Sequence, residues 1–599
     1  MSEPPTAARW RVLVGNARAV SAVAAHGLED DPVRLALLAA RRLPASWRAP
    51  LSRVLTTTGR SLGRRSPHVL ALLLADHPEQ ARAALGPIDG RSRGRLSAEL
   101  AVQLDADLPD DLPPSGRARA AWQRGDVSEA LAALDGAGSA SSRRQRARLA
   151  SEVDVLTPGR RLSVPTPSPA VNAPSRAATG RGDPVARGDG GHRVLHLLTN
   201  SLPRTRSGYA YRSHAVLRAQ QAEGMTVEAV TRLGYPVTVG VPWAGEVDVV
   251  EGVTYRRLLP SRMATTAEGR LAQTAELLVR HVDRLGADLL HTTTHFPNAL
   301  VARAVAEATG RPWVYEARGQ LEKTWVASRP SEQRAAAAAS ERYALWRERE
   351  TEVAVEADHL VVLSEVLKED FVARGVPRER VTVVPNAVDD ELLDPALVCS
   401  PADARARLGL PRDGFWVGTV SSVVGYEGLD DLLRAVAELR ATGLDVRCAI
   451  AGDGTARPGL AALAETLGLS SVVVLPGRVP KELTPVWHRA LDVFTVPRRD
   501  TDVTRSVTPL KPIEAMAAGR PVVASDLPAL AEIVGAPGTG LLSTPEDPSS
   551  LAGRLRELYD DEALRHALGS RGREFAATRT WRAMAGRYDS IYRALGRTT

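Results

Sequence analysis

From His192 onward the sequence alternates short, almost wholly apolar runs with polar loops and helix-length stretches. No other feature restricts the fold as much. HRVLHLLTN (192–200), TVEAVTRL (226–233), ADLLHTTT (287–294), PWVYEARG (312–319), DHLVVLSE (358–365) and VTVVPNAV (381–388) each end in a polar loop. Helical patterns such as Tyr211 to Glu223 and Asn298 to Thr309 lie between them. Unbroken apolar runs of this length suit strands buried on both faces, the condition of a parallel sheet covered by helices. A second series follows Pro385: GFWVGTVSS (414–422), DVRCAIAGDG (445–454), SVVVLPGRV (471–479), LDVFTVPRR (491–499) and RPVVASDL (520–527). The pattern predicts an α/β chain with two Rossmann-like domains, 192–385 and 386–579, facing one cleft, and a closing segment 580–599. In such folds ligands sit at the carboxyl ends of the strands.

The preceding residues read differently. Residues 1–155 are rich in Ala, Leu and Arg, with apolar residues at helical spacing and no alternating pattern, which predicts an all-α domain. AAWQRGDVSEALAAL (120–134) reads as helix, tight Gly125-Asp126 turn and helix, with Asp126 capping the second. It resembles one tetratricopeptide-type unit, although no clean 34-residue repeat accompanies it. Residues 156–191 carry Pro, Gly, Ser and Arg with almost no large apolar residue, the composition of a disordered linker.

Charge follows this division. The net +7 of the 599 residues arises in residues 1–191, where 27 arginines face 19 acidic residues; the remainder is close to neutral. Nucleic-acid binding by the α/β part is therefore not expected, and five Phe supply no stacking platform. The basic extension instead suits an anionic membrane face or an acidic protein. Two cysteines, Cys399 and Cys448, form neither a disulfide framework nor a four-ligand zinc site, in keeping with a cytoplasmic setting. No run of about 18 apolar residues suggests a membrane span, and Val12 to Ala25, broken by Asn16 and Arg18, does not read as a signal peptide.

VTPLKPIEAMAAGRPVVASD (507–526) reads loop, short helix, strand, with Gly519 as the helix stop. A helix start at the mouth of a sheet offers free N–H groups to a diphosphate, Lys511 adds a point charge, and Glu514 can accept from ribose hydroxyls. This segment resembles the donor-nucleotide motif of the family-4 retaining glycosyltransferases with the GT-B fold, in a branch with a VTPLKP-type motif. PNAVD (385–389), GTVSSVVGYEGLDDLLRA (418–435), AGDG (451–454), LPGRVPKELTPVWHRALDVFTVPRR (475–499) and TWRAMAGRYDSIYRAL (580–595) resemble the family's further landmarks in order. The last resembles a helix that crosses back to the first domain.

The resemblance implies a nucleotide-diphosphate sugar as donor, a glycan or glycolipid hydroxyl as acceptor, retention of configuration, and neither metal nor cofactor. It implies a role in cell-envelope or exopolysaccharide synthesis, in the cytoplasm or peripherally at the inner membrane face. Its donor residues fall at Gly208, Ser422, Glu427, Arg478, Arg498, Arg499, Thr508, Leu510, Lys511 and Glu514. Its active-site histidine falls at His291 or His295 in HTTTH (291–295), with Arg318 of YEARG (315–319) at the next strand end. In the loop SLPRTRSGYAYRSH (201–214), Gly208 permits close backbone approach, and Arg206 and Arg212 can meet an anion. Three family side chains are absent: the usual Arg, Lys and first Glu fall at Ser422, Glu427 and Ser506. Two readings follow, a decayed transferase acting as a scaffold, or relocation of the cations to Arg498 and Arg499. The triplets DAD (105–107) and DTD (500–502) are read as surface rather than metal sites.

Overall fold

A computed structural model describes residues 6–596 apart from 41–44, 62–64, 76, 87–94, 105, 107–111, 165–190 and 398. Asp105 and Asp107 of the DAD triplet and most of the expected linker lie outside the described residues.

The first sheet contains β1 (Arg193–Leu198), β2 (Thr226–Thr231), β3 (Val247–Val250), β4 (Val253–Arg257), β5 (Leu289–Thr294), β6 (Trp313–Ala317), β7 (His359–Val362) and β8 (Val381–Val383). Their order is β3-β4-β2-β1-β5-β6-β7-β8, parallel except for β3 at the edge. The β3–β4 hairpin is absent from the sequence reading. Its turn, Glu251-Gly252, has both residues at positive φ (46° and 82°), as a two-residue hairpin turn requires, but its strands are too short, and β3 too exposed, to give an apolar run.

The second sheet contains β9 (Phe415–Val420), β10 (Val446–Ala451), β11 (Val473–Gly477), β12 (Val493–Val496), β13 (Val522–Ser525) and β14 (Gly540–Ser543), in the order β11-β10-β9-β12-β13-β14. This is the doubly wound order, in which the direction of strand addition reverses between the parallel strands β9 and β12. In the first sheet the reversal falls between β1 and β5. Those two switch points are where side chains converge.

The chain crosses between the domains twice, side by side: the Val388 amide donates to Arg579 O (2.9 Å) and the Trp581 amide to Val388 O (3.0 Å). The helix Trp581–Gly596 then packs on the first domain. Trp581, Met584, Ala585, Tyr588, Ile591 and Tyr592 form its buried stripe at three- and four-residue spacing.

The N-terminal lobe consists of helices, among them Thr6–Asp30, Pro114–Arg124, Val127–Ala132 and Ala140–Leu156. The Gly125 turn joins the second and third of these at φ +101°. Asp126 does not cap the following helix; its carboxylate accepts from Arg124 Nε (3.0 Å).

Residues 157–164 correct the expected linker, because they are docked rather than free. Val155 and Leu156 enter the core of the first Rossmann-like domain, with Leu162 and Val164 against it. Arg349 Nε donates to Val155 O (2.9 Å), Arg303 Nη2 to Arg160 O (3.0 Å), and the Gly159 amide to Glu352 (2.9 Å). The composition offers little apolar surface, yet two apolar side chains, the Arg160 carbonyl shared by Arg303 and Arg349, and the Gly159 amide on Glu352 suffice.

Candidate functional site

In the second domain the reversal between β9 and β12 places the loop 421–428 against Pro497–Arg499. Gly428 has φ +65°, and a Cβ there would lie 1.8 Å from Pro497 O, so only glycine fits. Arg498 is not a free phosphate cation. Its Nη2 and Nε grip Glu427 Oε1 and Oε2 (2.8 and 3.1 Å), and Nη1 donates to Val507 O (3.1 Å). The two residues are only 7% and 8% exposed. Arg499 pairs with Asp430 (2.7 Å) and ties Gly425 O (3.1 Å). The expectation that these arginines replace the lost cations is thus corrected: each charge is matched by a carboxylate, and the pairs shape the loop. Ser422 is exposed, and Ser506 is buried with its hydroxyl donated back to Asp502 O (3.0 Å). Arg478 is exposed just beyond β11 and has no ion pair among the described residues. In the DTD triplet the Asp500 carboxylate is held by Arg505, and no cluster of metal-ligating side chains occurs among the described residues.

Beside this loop begins the short helix Lys511–Ala517. Glu514 Oε2 accepts from Lys511 Nζ (2.9 Å) and His488 Nε2 (3.2 Å), while Oε1 makes no hydrogen bond among the described residues and the side chain is 22% exposed. Although burial opposes it, the Lys511 charge and the His488 hydrogen bond hold the Glu514 carboxyl well below its usual range. The acceptor-only carboxylate places the His488 proton on Nε2. Its buried Nδ1 has no partner among the described residues, and burial lowers its proton affinity, so the ring is neutral. Both donors meet one carboxylate oxygen and leave the other for a ligand hydroxyl. Nothing in the sequence marks His488, which lies on another helix 26 residues away. Thr508 Oγ1 is buried without a partner among the described residues, and Thr508 O accepts from Asn386 Nδ2 (2.9 Å) across the domain boundary.

In the first domain two expected catalytic residues prove to be structural. His291 is fully buried. Its Nδ1 accepts from Tyr592 OH (2.7 Å), its Nε2 lies 3.2 Å from Glu316 Oε2, and its ring stacks on His196. Arg318 Nε donates to Glu316 Oε1 (2.8 Å), and its Nη1 donates to Ser213 Oγ (2.7 Å) and Tyr209 O (3.1 Å). Arg212, expected to meet an anion, gives Nε to Glu316 (2.9 Å) and its other groups to Val384 O, Pro385 O and Asn386 Oδ1. Against the pull of burial, Arg318 and Arg212 keep Glu316 well below the usual carboxylate range. This network fastens β6 to the helix Gly208–Ala222 and to the closing helix.

His295 is different. It follows β5 at the switch point, is partly exposed, and makes no side-chain hydrogen bond among the described residues. Burial alone lowers its pKa to about 4, so it is neutral at physiological pH. Thr294 before it has φ +89°, a strained conformation for a β-branched residue. Tyr315 OH holds Thr294 O (2.9 Å) and also meets Glu350, whose Oε2 accepts from the Phe296 amide (2.9 Å). Burial raises the Glu350 carboxyl to about 8. Glu350 and Tyr315 thus set the backbone on either side of His295, a role no motif announced.

The two rims meet. A Cβ at Gly208 would lie 4.0 Å from Leu510 Cδ1, so the protein leaves room there rather than requiring glycine. Leu510 packs on the core of the first domain. Lys481 Nζ lies 5.9 Å over the Tyr211 ring, and Ser364 Oγ meets Ser506 O at 3.5 Å.

With this geometry in view, residues 224–392 match the family model described as Glycosyltransferase Family 4, and residues 402–575 that described as Glycosyl transferases group 1. These residues belong to the GT-B glycosyltransferases. The D-inositol 3-phosphate glycosyltransferase of Thermobispora bispora is 34% identical over 225 residues, 36% of this chain and 51% of the relative. The chain thus spans about half the length of that curated relative. Sucrose-phosphate synthase from Thermosynechococcus elongatus superposes with a TM-score of 0.55 at 23% identity, over 68% of this chain and 100% of that one. HepE from Anabaena, in complex with UDP, gives 0.52 at 18% identity, over 67% and 100%. These two structures share the fold. The helical lobe lies outside both family matches.

Proposed function

We propose that the chain is a retaining, metal-independent glycosyltransferase that moves a sugar from a nucleotide-diphosphate sugar to a hydroxyl of a glycan or glycolipid. The observation that carries this reading is the Glu514 carboxylate, with one oxygen fixed by Lys511 and His488 and the other free of protein partners among the described residues, next to the switch point of the second sheet. The free oxygen suits a ribose hydroxyl, and Lys511 with the backbone from Thr508 to Leu510 suits the diphosphate. Breaking the glycosidic bond separates an oxocarbenium-like sugar from a departing diphosphate, so fixed positive charge and N–H dipoles at the phosphates lower the barrier. Neutral His295 can hydrogen-bond the donor sugar. In a front-face reaction the leaving phosphate oxygen takes the acceptor proton, and no protein base is needed. The complex of HepE with UDP supports a uridine nucleotide as the first donor to try. Work at the cytoplasmic face of the cell envelope, with the basic lobe toward anionic lipid, belongs to the same proposal.

Melting the protein with a panel of nucleotide sugars, followed by product assay, tests the reading. One nucleotide sugar should stabilise the chain more than its free nucleotide and be turned over. Lys511→Ala and Glu514→Ala should each cut turnover at least about a hundredfold, and His488→Phe should raise the donor KM more than it lowers kcat. Parental kinetics in all three variants would refute the assignment. Ser422, Glu427 and Ser506 favour a second reading, a decayed copy serving as a scaffold; no stabilisation by any nucleotide sugar is its expected outcome.

A further inference from the structure

Arg232 follows β2 at the carboxyl rim of the first sheet. Its neighbours are paired: Arg204 and Arg257 with Asp248, Arg256 and Arg284 with Glu228. Arg232 has no carboxylate within ion-pair reach among the described residues. Its Nη2 makes one long bond, 3.3 Å, to Asn200 Oδ1, and its Nε is buried with no partner among those residues. Burial pulls its proton affinity down, only slightly countered by Tyr235. An uncompensated, largely buried cation destabilises a fold unless something else requires it.

Its position says what requires it. β2 and β5 flank β1, with Leu198 level with Thr231 and Leu197 level with Thr292. Arg232, Asn200 and His295 therefore leave the sheet at nearly the same height, the outer two about 10 Å apart by strand spacing. The loop that carries Arg232 is held on three sides. The Gly234 amide donates to Leu258 O (2.8 Å), Tyr235 OH donates to Ser201 O (2.8 Å), and Asn16 of the helical lobe donates to Pro242 O and Ala244 O (2.8 and 2.9 Å). The cation is thus presented by a rigid rim and not by a mobile loop, which limits the cost of ordering on binding.

We propose that Arg232, with Asn200, seats an anionic group on the acceptor, a phosphate or carboxylate held about 10 Å along the strand ends from His295. This rests on the transferase reading for the word acceptor, but the anion site itself is testable without turnover. The full chain, with its donor site first saturated by UDP, is titrated with inorganic phosphate, glucose 6-phosphate, glucose, and phosphatidylcholine vesicles with or without phosphatidylinositol. The expected result is at least about tenfold tighter binding of glucose 6-phosphate or of the anionic vesicles than of their neutral counterparts. Which of the two binds shows whether the anion is carried by a soluble sugar or by a lipid. Arg232→Gln should abolish that preference, leave UDP binding unchanged, and melt no lower than the parent, because it removes an unpaired buried charge. Equal binding of charged and neutral probes, or a preference that survives Arg232→Gln, overturns the proposal. So does an Arg232→Gln variant that melts lower while binding as before. Failure of UDP to bind would count against the transferase reading alone, since the anion titration reads Arg232 in either case.

Discussion

Single side chains in this cleft divide by whether another group already satisfies them. His291 and His295 stand four residues apart in one motif, yet one is spent in a buried network and the other is open. Alternation along the strand cannot tell them apart, because both faces of a parallel strand are covered. The Glu350 carboxyl beneath His295 gives a pH test. Its folded pKa, about 8, lies above the ordinary 4.5, so the folded state binds this proton more tightly than the unfolded chain. The stabilisation is complete below about pH 4.5 and is lost as pH rises through 8. Melting temperature followed from about pH 6 to 9 should fall over this range, and Glu350→Gln, which keeps an acceptor for the Phe296 amide without ionising, should flatten the fall. An unchanged slope in the variant would place the titration elsewhere.

At the scale of elements, the loop between β9 and the helix Leu429–Ala441 is held by charge pairs where the resembled family has free cations. Glu427 and Arg498 are nearly buried and bidentate, so removing one leaves the other desolvated and alone. Glu427→Ala should cost about 3–5 kcal/mol, whereas replacing both partners by apolar residues of similar volume should cost much less. Comparing melting temperatures of the two single variants and the double variant measures the coupling; additive losses would show that the pair does not act as a unit. The β3–β4 hairpin makes a related point about legibility. β3 alternates exposed and half-buried residues and β4 buried and half-buried ones, over only four and five positions, and the turn chemistry of Glu251-Gly252 is the hairpin's best sequence signal.

At the scale of the molecule, the helical lobe is part of the first domain's packing. Arg342 lies against the rings of Trp122, Trp325 and Trp346, at 4.3, 5.4 and 5.3 Å from their centroids. The Arg342 amide donates to Gly125 O (3.0 Å), and the lobe's Asn16 braces the Arg232 loop. A chain beginning at residue 192 should therefore melt well below the full chain and lose soluble yield, as Trp325, Trp346 and the surface beneath Val155 and Leu156 become exposed. Equal melting of the two would show that the lobe is an independent module.

The sequence by itself determined the two doubly wound sheets, most strand positions, the loop–helix–strand segment that carries Lys511 and Glu514, and the concentration of positive charge before residue 192. Each of these is local: an apolar run, a turn residue, or a count. Only the tertiary structure decided which charges remain free. Glu427 meets Arg498 across 71 residues, His488 meets Glu514 across 26, and Glu316 gathers Arg212, His291 and Tyr588 from separate stretches of chain. A charge is neutralised by whatever lies within a few ångströms of it, and in a doubly wound fold neighbouring strand ends come from distant stretches of chain. For the same reason Arg232, in sequence nothing more than the end of a strand, emerges as an unpaired cation only once the surrounding carboxylates are seen to be taken.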